Sequence, residues 1–432
     1  MSSMNPKDFM RQRFAALAAR GRAGDRLPCP RRTRLPGAVL LGIAVLMPLL
    51  PLGAAAQPAD PGIDDSHRLE SRHAIASGLD WLAKQQSPNG SWSEYPAVTG
   101  LALAAYLRSP APIDPYAPAI NKGFDYVLSC VQPDGGIYAG EPPFQNYNTS
   151  ICLMALVASG NPKYDEVIRN ARRFLIGLQC DEAEGFGPDS LFYGGIGYGD
   201  DGRPDLANLH WTLEALKASE DFAPRGEFSD VRIDEASTAA ALPAEVSTGK
   251  GFFWDKALLF LQRCQNLSAV NDQDWASDDG GFVYEPGVSK AGGTTSYGSM
   301  TYAGMQSLIY AGLSRDDPRV TAAHTWIRNN YTLERNPELD QQGLYYYYQA
   351  FAKALNAYGD PILKDSAGRE HRWREEYVVK LASLQHAEGY WVNAVGRWWE
   401  NNPQLVTAYC ILGLEETMRP EPVPGADHPA DR

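Results

Sequence analysis

The sequence predicts an all-α fold, an (α/α)6 toroid of about twelve helices, six inner and six outer. Three observations predict it. A unit of two helical stretches joined by a Gly-rich turn recurs along the chain. The first stretch of each unit carries charge on one face, and the second is nearly free of charge. A helix that is apolar all round must be buried, whereas one with a charged face lies outside, so inner helices are ringed by outer ones.

The units follow one another in order. The first runs from Leu79-Asp80-Trp81-Leu82 to Gln85-Gln86, then Asn89-Gly90-Ser91-Trp92, then Val98 to Leu107. The second runs from Phe124 to Gln132, then Asp134-Gly135-Gly136-Ile137-Tyr138, then Thr149 to Ala158. In the third, Phe174 to Gln179 leads to Glu184-Gly185-Phe186-Gly187 and then Leu206 to Ala218. In the fourth, Leu258 to Gln265 leads to Asp278-Asp279-Gly280-Gly281-Phe282 and then Thr301 to Ala311. The fifth is degenerate: Trp326, a short loop, then Gly343 to Tyr358. The sixth runs from Tyr377 to Gln385, Glu388-Gly389-Tyr390-Trp391, then Thr407 to Leu414. Glycine after each outer stretch supplies the positive-φ residue that ends a helix.

The flanks read differently. Residues 1–56 form an export signal: nine basic residues against two acidic ones, an apolar run from Gly37 to Gly53, and Ala54-Ala55-Ala56 as a cleavage site. Arg31-Arg32 ahead of that run is similar to a twin-arginine signal. Residues 57–65 read as a linker, 66–418 as the toroid, 219–251 as a mobile acidic insertion and 419–432 as a disordered, Pro-rich tail. The expected location is the periplasm or the exterior, with membrane association only through an uncleaved leader. Loss of the leader takes the net charge from −13 to about −20. So acidic a chain is a poor partner for nucleic acid or anionic lipid. Five cysteines follow the leader, widely spaced and in apolar stretches, which reads as buried small hydrophobes with room for two bridges at most.

The Gln-Gly-aromatic units resemble the repeats of squalene and hopene cyclases and of protein prenyltransferase β subunits, over about Ser66 to Met418. The resemblance implies chemistry at the mouth where the inner helices begin. It also implies an acid in an Asp-x-Asp-Asp-Thr motif, or a zinc held by Asp-x-Cys and His. Neither set is complete here. The stretch Pro204-Asp205-Leu206-Ala207-Asn208-Leu209 keeps the first Asp but has Ala207 in place of the proton donor. Leu344 and Val406 stand where the zinc Cys and His belong, so no metal or other cofactor is expected. The units align on Thr99, Thr149, Thr301 and Thr407, with Leu209 and Tyr346 in the remaining two.

Six parallel inner helices would bring their N–H groups and dipole ends to one mouth. Residues at those starts make the candidate ligand site: Asn148, Tyr198, Asn208, Tyr297, Ser299, Thr301, Tyr302, Gln342, Tyr345 and Trp398. Each also reads as a helix cap or packing residue. Candidate catalytic residues are Asp205, Asp278 and His210, although turn chemistry accounts for Asp278 and a lone helical His is more often structural. Three functions stay open, and with them the question of catalysis. The first is binding of an apolar ligand, with isoprenoids the class implied by the resemblance and cyclase- or transferase-like catalysis added to it. The second is a non-catalytic binding or scaffold toroid. The third is a secreted polysaccharide hydrolase or lyase, for which only one mouth carboxylate can be named.

Overall fold

A computed structural model describes residues 62–140, 143–199, 203–224 and 252–419. The chain divides into two units, Met1–Gln57 and Pro58–Arg432, and every described residue belongs to the second. The expected export signal, most of the linker, the insertion beyond residue 224 and the tail beyond residue 419 lie outside the described residues.

Twelve α-helices occur among the described residues. The outer ones are α1 (Asp65–Gln85), α3 (Ala117–Ser129), α5 (Asp165–Ile176), α7 (Phe252–Cys264), α9 (Pro318–Asn329) and α11 (Trp373–Leu384). They alternate with inner α2 (Pro96–Arg108), α4 (Gln145–Ala158), α6 (Leu206–Ala218), α8 (Gly298–Tyr310), α10 (Leu344–Tyr358) and α12 (Pro403–Thr417). Every inner helix packs on its two inner neighbours, and α12 packs on α2, so the inner ring is closed. The first outer helix, α1, packs on α11 and α12 and seals the seam. The only sheet among the described residues is a two-stranded hairpin, β1 (Leu363–Lys364) with β2 (Glu370–His371), between α10 and α11.

The repeated Gln and Gly are the joints of this ring. Gln86 Nε2 donates to the carbonyls of Gly90 (2.8 Å) and Ala119 (2.8 Å), tying its own turn to the next outer helix. Gln179 does the same to Gly194 and Phe253, Gln265 to Gly280 and Arg319, and Gln385 to Gly389 and Ala74. Each turn glycine has positive φ and sits against a carbonyl of the next outer helix. A Cβ on Gly280 would lie 2.4 Å from the Ala322 oxygen, and one on Gly389 would lie 2.4 Å from that of Ser77. Trp92 and Trp391 are fully buried, and each indole donates back to its own outer helix, at Leu82 O and Leu381 O.

Three sequence expectations need correction. In the third unit the joint is Gly194-Gly195, not Gly185-Phe186-Gly187: Gln179 binds Gly194, whose hypothetical Cβ would lie 1.8 Å from Lys256 O. Residues 181–193 are an insertion ahead of that joint, held by buried Lys256, which donates to Asp181 (2.9 Å) and Glu182 (2.7 Å). The aligned threonines do not face the mouth. The hydroxyls of Thr99, Thr149, Thr301 and Thr407 accept the N–H of Trp92, Ile137, Phe282 and Trp391, the aromatic or apolar residue of each turn. The threonines stand fourth or fifth in their helices, places that Tyr347 and Tyr348 take in α10, so Tyr346 is out of that alignment. Finally, the inner helices are not free of charge. Arg108, Glu214, Lys353, Glu415 and Glu416 gather at their C-terminal ends, where Lys353 Nζ donates to Glu214 (2.5 Å) and Arg108 pairs with Glu416. All five described cysteines are buried and unbridged.

Candidate functional site

The mouth is built from the first turns of the inner helices, and at five of the six a side chain already accepts at least one N–H. Asn148 Oδ1 accepts Ala97 N–H (2.9 Å) at the start of α2. Asp205 Oδ1 caps its own helix α6 by accepting Asn208 N–H (2.8 Å). Asn336 Oδ1 accepts Ser299 N–H (3.0 Å) at α8, and Asn402 caps α12. At α10 the cap comes from a distant loop: Glu400 Oε1 accepts the N–H of Tyr345 (2.9 Å) and of Tyr346 (2.8 Å). Side chains therefore satisfy donors that an anionic ligand would otherwise need. The expected open ring of positive helix ends is therefore partly filled at these five helices.

Beneath the rim an aromatic layer crosses the barrel. Tyr147, Trp211, Tyr346 and Tyr409 come from α4, α6, α10 and α12. Ring centroids are 5.9 Å apart for Tyr147–Trp211, 6.2 Å for Trp211–Tyr346 and 6.3 Å for Tyr346–Tyr409. The hydroxyls of Tyr147 and Tyr409 meet at 3.0 Å, although α4 and α12 are separated in the ring by α2. On α6 the axis-facing stripe is Ala207, His210, Trp211 and Glu214, the three-and-four spacing of one helix face. Above the layer stand Tyr95, set edge-on to Trp399 at 5.4 Å, and Tyr198, packed on Phe144 at 4.8 Å.

Two buried carboxyls face this end of the barrel. Burial raises the Asp205 carboxyl to about 6, against hydrogen bonds from Asn208 and Tyr284 that favour its charged form. Its neighbour Asn208 donates Nδ2–H to Asp205 Oδ2 (2.8 Å), while Asn208 Oδ1 is buried with no donor. Glu400 is raised by burial to about 7, although three backbone N–H groups and Asn393 favour its charged form. Lys290 lies over the Tyr284 ring, 3.6 Å from its centroid. His210 is 1% exposed, and burial lowers its pKa, which leaves a neutral ring. Gln306 Nε2 donates to Tyr310 OH (2.8 Å), so Gln306 Oε1 faces His210 Nε2 (2.9 Å) and that nitrogen carries the proton. The other nitrogen, Nδ1, faces Tyr346 OH at 3.5 Å.

Of the residues singled out in the sequence, Asp205, His210, Asn148, Asn208, Tyr198 and Tyr297 belong to this end of the barrel. Tyr297 is buried, and its phenol is pushed up by burial and by the charges of Tyr346 and Asp205. Asn148 serves as a cap, and its Nδ2 reaches Pro143 O (2.7 Å). Others are committed elsewhere. Asp278 is exposed in the turn after α7 and accepts Ser268 N–H (2.8 Å), which lowers its pKa, so it stands as a turn residue and not as an acid. Thr301 holds the Phe282 turn, and Ser299 is bound to Asn336 through backbone and hydroxyl. Tyr302 packs on Tyr347 (5.5 Å) and Phe351 (5.0 Å), and Tyr345 lines a groove with residues of α11. Gln342 accepts from Arg397, whose guanidinium lies over Trp398, 4.1 Å from its centroid. Trp398 and Trp399 both have positive φ, 55° and 66°, strained values for aromatic residues.

Sequence reading missed Glu400 as a mouth carboxyl, and Asn336, Trp211 and Tyr409 altogether. The signal for Glu400 was weak, because its partner helix starts 56 residues earlier and only the fold brings the two together. One group of described residues has metal-type donors within 4.8 Å of one another, Asp64, His67 and Glu375. It lies at the start of α1, where Asp64 already holds His67 and Glu375 binds Arg372.

The chain matches no family model and no curated protein. Among solved structures it is similar to the type II terpene cyclase MstE from Scytonema. A variant of that enzyme in complex with merosterolic acid A aligns at 12% identity over 82% of this chain and 99% of the other, with a TM-score of 0.48. A variant in complex with geranylgeranyl dihydroxybenzoate aligns at 12% identity over 82% and 99%, with a TM-score of 0.47. The apo enzyme aligns at 12% identity over 80% and 98%, with a TM-score of 0.43.

Proposed function

We propose that the toroid takes an apolar, isoprenoid-like molecule into the space between the mouth and the aromatic layer, with Asp205 as its candidate acid. One observation carries the reading. A buried carboxyl raised to about 6 sits beside an unpartnered amide oxygen, Asn208 Oδ1, at the rim of an aromatic-lined barrel. With its pKa raised to about 6, Asp205 holds its proton in a minority of molecules at neutral pH, and in that form it can protonate an alkene while aromatic faces stabilise the positive charge that results. The Asp205 O–H bond and the alkene π bond break as a C–H bond forms, and the resulting carbocation later loses a proton to solvent to form a new C=C bond, after which Asp205 takes a proton back from solvent. His210 is the one neutral base on the same helix face. The leader sequence adds the proposal that the chain is exported, which N-terminal sequencing of envelope protein checks through a first residue at Gln57.

The test is native mass spectrometry with lipid extraction on the chain from Gln57 onward, purified from its own envelope. An isoprenoid that co-purifies with the native protein and not with Ala207→Trp supports the reading, given an unchanged melting temperature. Absence of any lipid, with no thermal shift on adding geranylgeraniol or squalene, overturns it. A second reading, a toroid kept for its shape, is favoured by the Tyr147–Tyr409 contact, which joins the two inner helices on either side of α2 inside the barrel. Full ligand binding without turnover, unchanged by Asp205→Asn, would select that reading.

A further inference from the structure

We infer that the outer wall carries a second, independent ligand site, a groove between α10 and α11 that accepts a single pyranose ring. The groove holds about 180 Å³ and is lined by Tyr345, Tyr348, Leu384 and Val392, with Glu334 and Lys380 on its rim. Three features together point to a sugar.

The first is an unused hydroxyl. Tyr345 is 5% exposed, lines the groove and makes no hydrogen bond through its phenol, whereas its neighbours Tyr347 and Tyr348 donate to Thr332 O and Leu333 O, both at 2.6 Å. That hydroxyl is open to the groove and free to bond a ligand hydroxyl there. The second is the pairing of surfaces. Tyr345 and Tyr348 meet edge to face at 5.6 Å and, with Leu384 and Val392, form an apolar floor. The rim supplies a donor and an acceptor, Lys380 and Glu334, joined at 2.6 Å. A pyranose has the same division, with C–H groups on its faces and hydroxyls round its edge. The third is size. The volume suits one six-membered ring and is too small for an isoprenoid chain, so this ligand differs in class from the one proposed for the barrel.

The groove is rigidly made. Asn393 forms one wall, donating to Gln341 O (2.7 Å) and to Glu400 Oε2 (2.7 Å), so its position is fixed from both sides.

The experiment is saturation-transfer NMR and calorimetry on the chain from Gln57 with methyl β-D-glucopyranoside, methyl β-D-galactopyranoside and N-acetyl-D-glucosamine at millimolar concentration. The expected result is binding of at least one sugar, weakened about five-fold by Tyr345→Phe, which removes one neutral hydrogen bond. Leu384→Trp, which fills the groove, is expected to abolish binding without altering the melting temperature of the toroid. The site is disproved if none of the three sugars shows saturation transfer. It is equally disproved if binding survives both substitutions, which would place the sugar elsewhere. Neither result bears on lipid binding in the barrel, which Tyr345→Phe leaves intact.

Discussion

Gln385 donates its amide proton to the carbonyl of Ala74, 311 residues earlier in the chain, and with this bond the last repeat grips the first outer helix. The same amide holds Gly389 O at 2.8 Å, and Gly389 has a φ of 100° with Ser77 O directly beneath it. Closing a ring of this length costs entropy that grows only slowly with length, so a few well-made contacts at the seam suffice. Gln385→Leu is expected to lower unfolding stability by about 1–3 kcal/mol, by leaving the buried Gly389 carbonyl without its donor. Gly389→Ala should cost more, since it adds left-handed strain to a steric clash. Urea unfolding followed by circular dichroism checks both, and a seam that tolerates Gly389→Ala would contradict the packing described.

Thr301→Val is expected to destabilise the fold by about 1–3 kcal/mol, because the Phe282 N–H at 3.1 Å loses its acceptor inside the protein. Thr301→Ser should restore most of that loss. Ligand binding should not change in either variant, and calorimetry of both would show a ligand role if it did.

Lys353 and Glu214 form an ion pair buried near the C-terminal end of the inner ring. Lys353→Met strands a buried carboxylate and is expected to cost about 3–5 kcal/mol. The double variant Lys353→Met/Glu214→Leu should recover much of this, since replacing both partners removes the unpaired charge. Equal stability of the single and double variants would show that the pair is not coupled.

Asp205 and Glu400 tie stability to pH in an unusual direction. Burial raises both above their ordinary values, Asp205 from 3.8 to about 6 and Glu400 from 4.5 to about 7. The folded state therefore binds their protons more tightly than the unfolded state does. Their contribution is complete below about pH 4 and is lost as pH rises through 6 and 7. Glu416 acts in the opposite sense: burial opposes its charge, but Arg419, Arg108 and Lys353 together lower it to about 2, so its contribution is lost as pH falls from 4.5 towards 2. The melting temperature should decline between about pH 4.5 and 7, and Glu400→Gln should flatten that decline. A pH series of melting curves for the native chain and Glu400→Gln measures it.

Much of the fold was legible in the residues. The Gln-Gly-aromatic units gave six outer and six inner helices in order, because each unit is a local event: an amphipathic helix, a positive-φ glycine, then an apolar helix. Gly185 misled for a physical reason. It too has positive φ, at 83°, but it ends a short turn within an insertion, and only packing against α7 shows that Gly194 is the joint. The threonines misled in another way. Their alignment was real, but what it preserves is the hydrogen bond to the preceding turn and not a face towards the mouth.

The sequence by itself determined the all-α architecture, the order of its helices and which of them are buried, since these follow from periodicity, turn residues and charge placement along the chain. Only the tertiary structure decided which polar groups share the mouth. Tyr346 and not Tyr345 joins the aromatic layer, Glu400 caps a helix that precedes it by 56 residues, and Asp278 stays at the surface. The reason is that a helix start specifies its donors but not who satisfies them. With six starts brought together, the partner is set by the three-dimensional ring and by a rotation of about 100° per residue, which a one-residue error in alignment turns from the lumen to the outer wall.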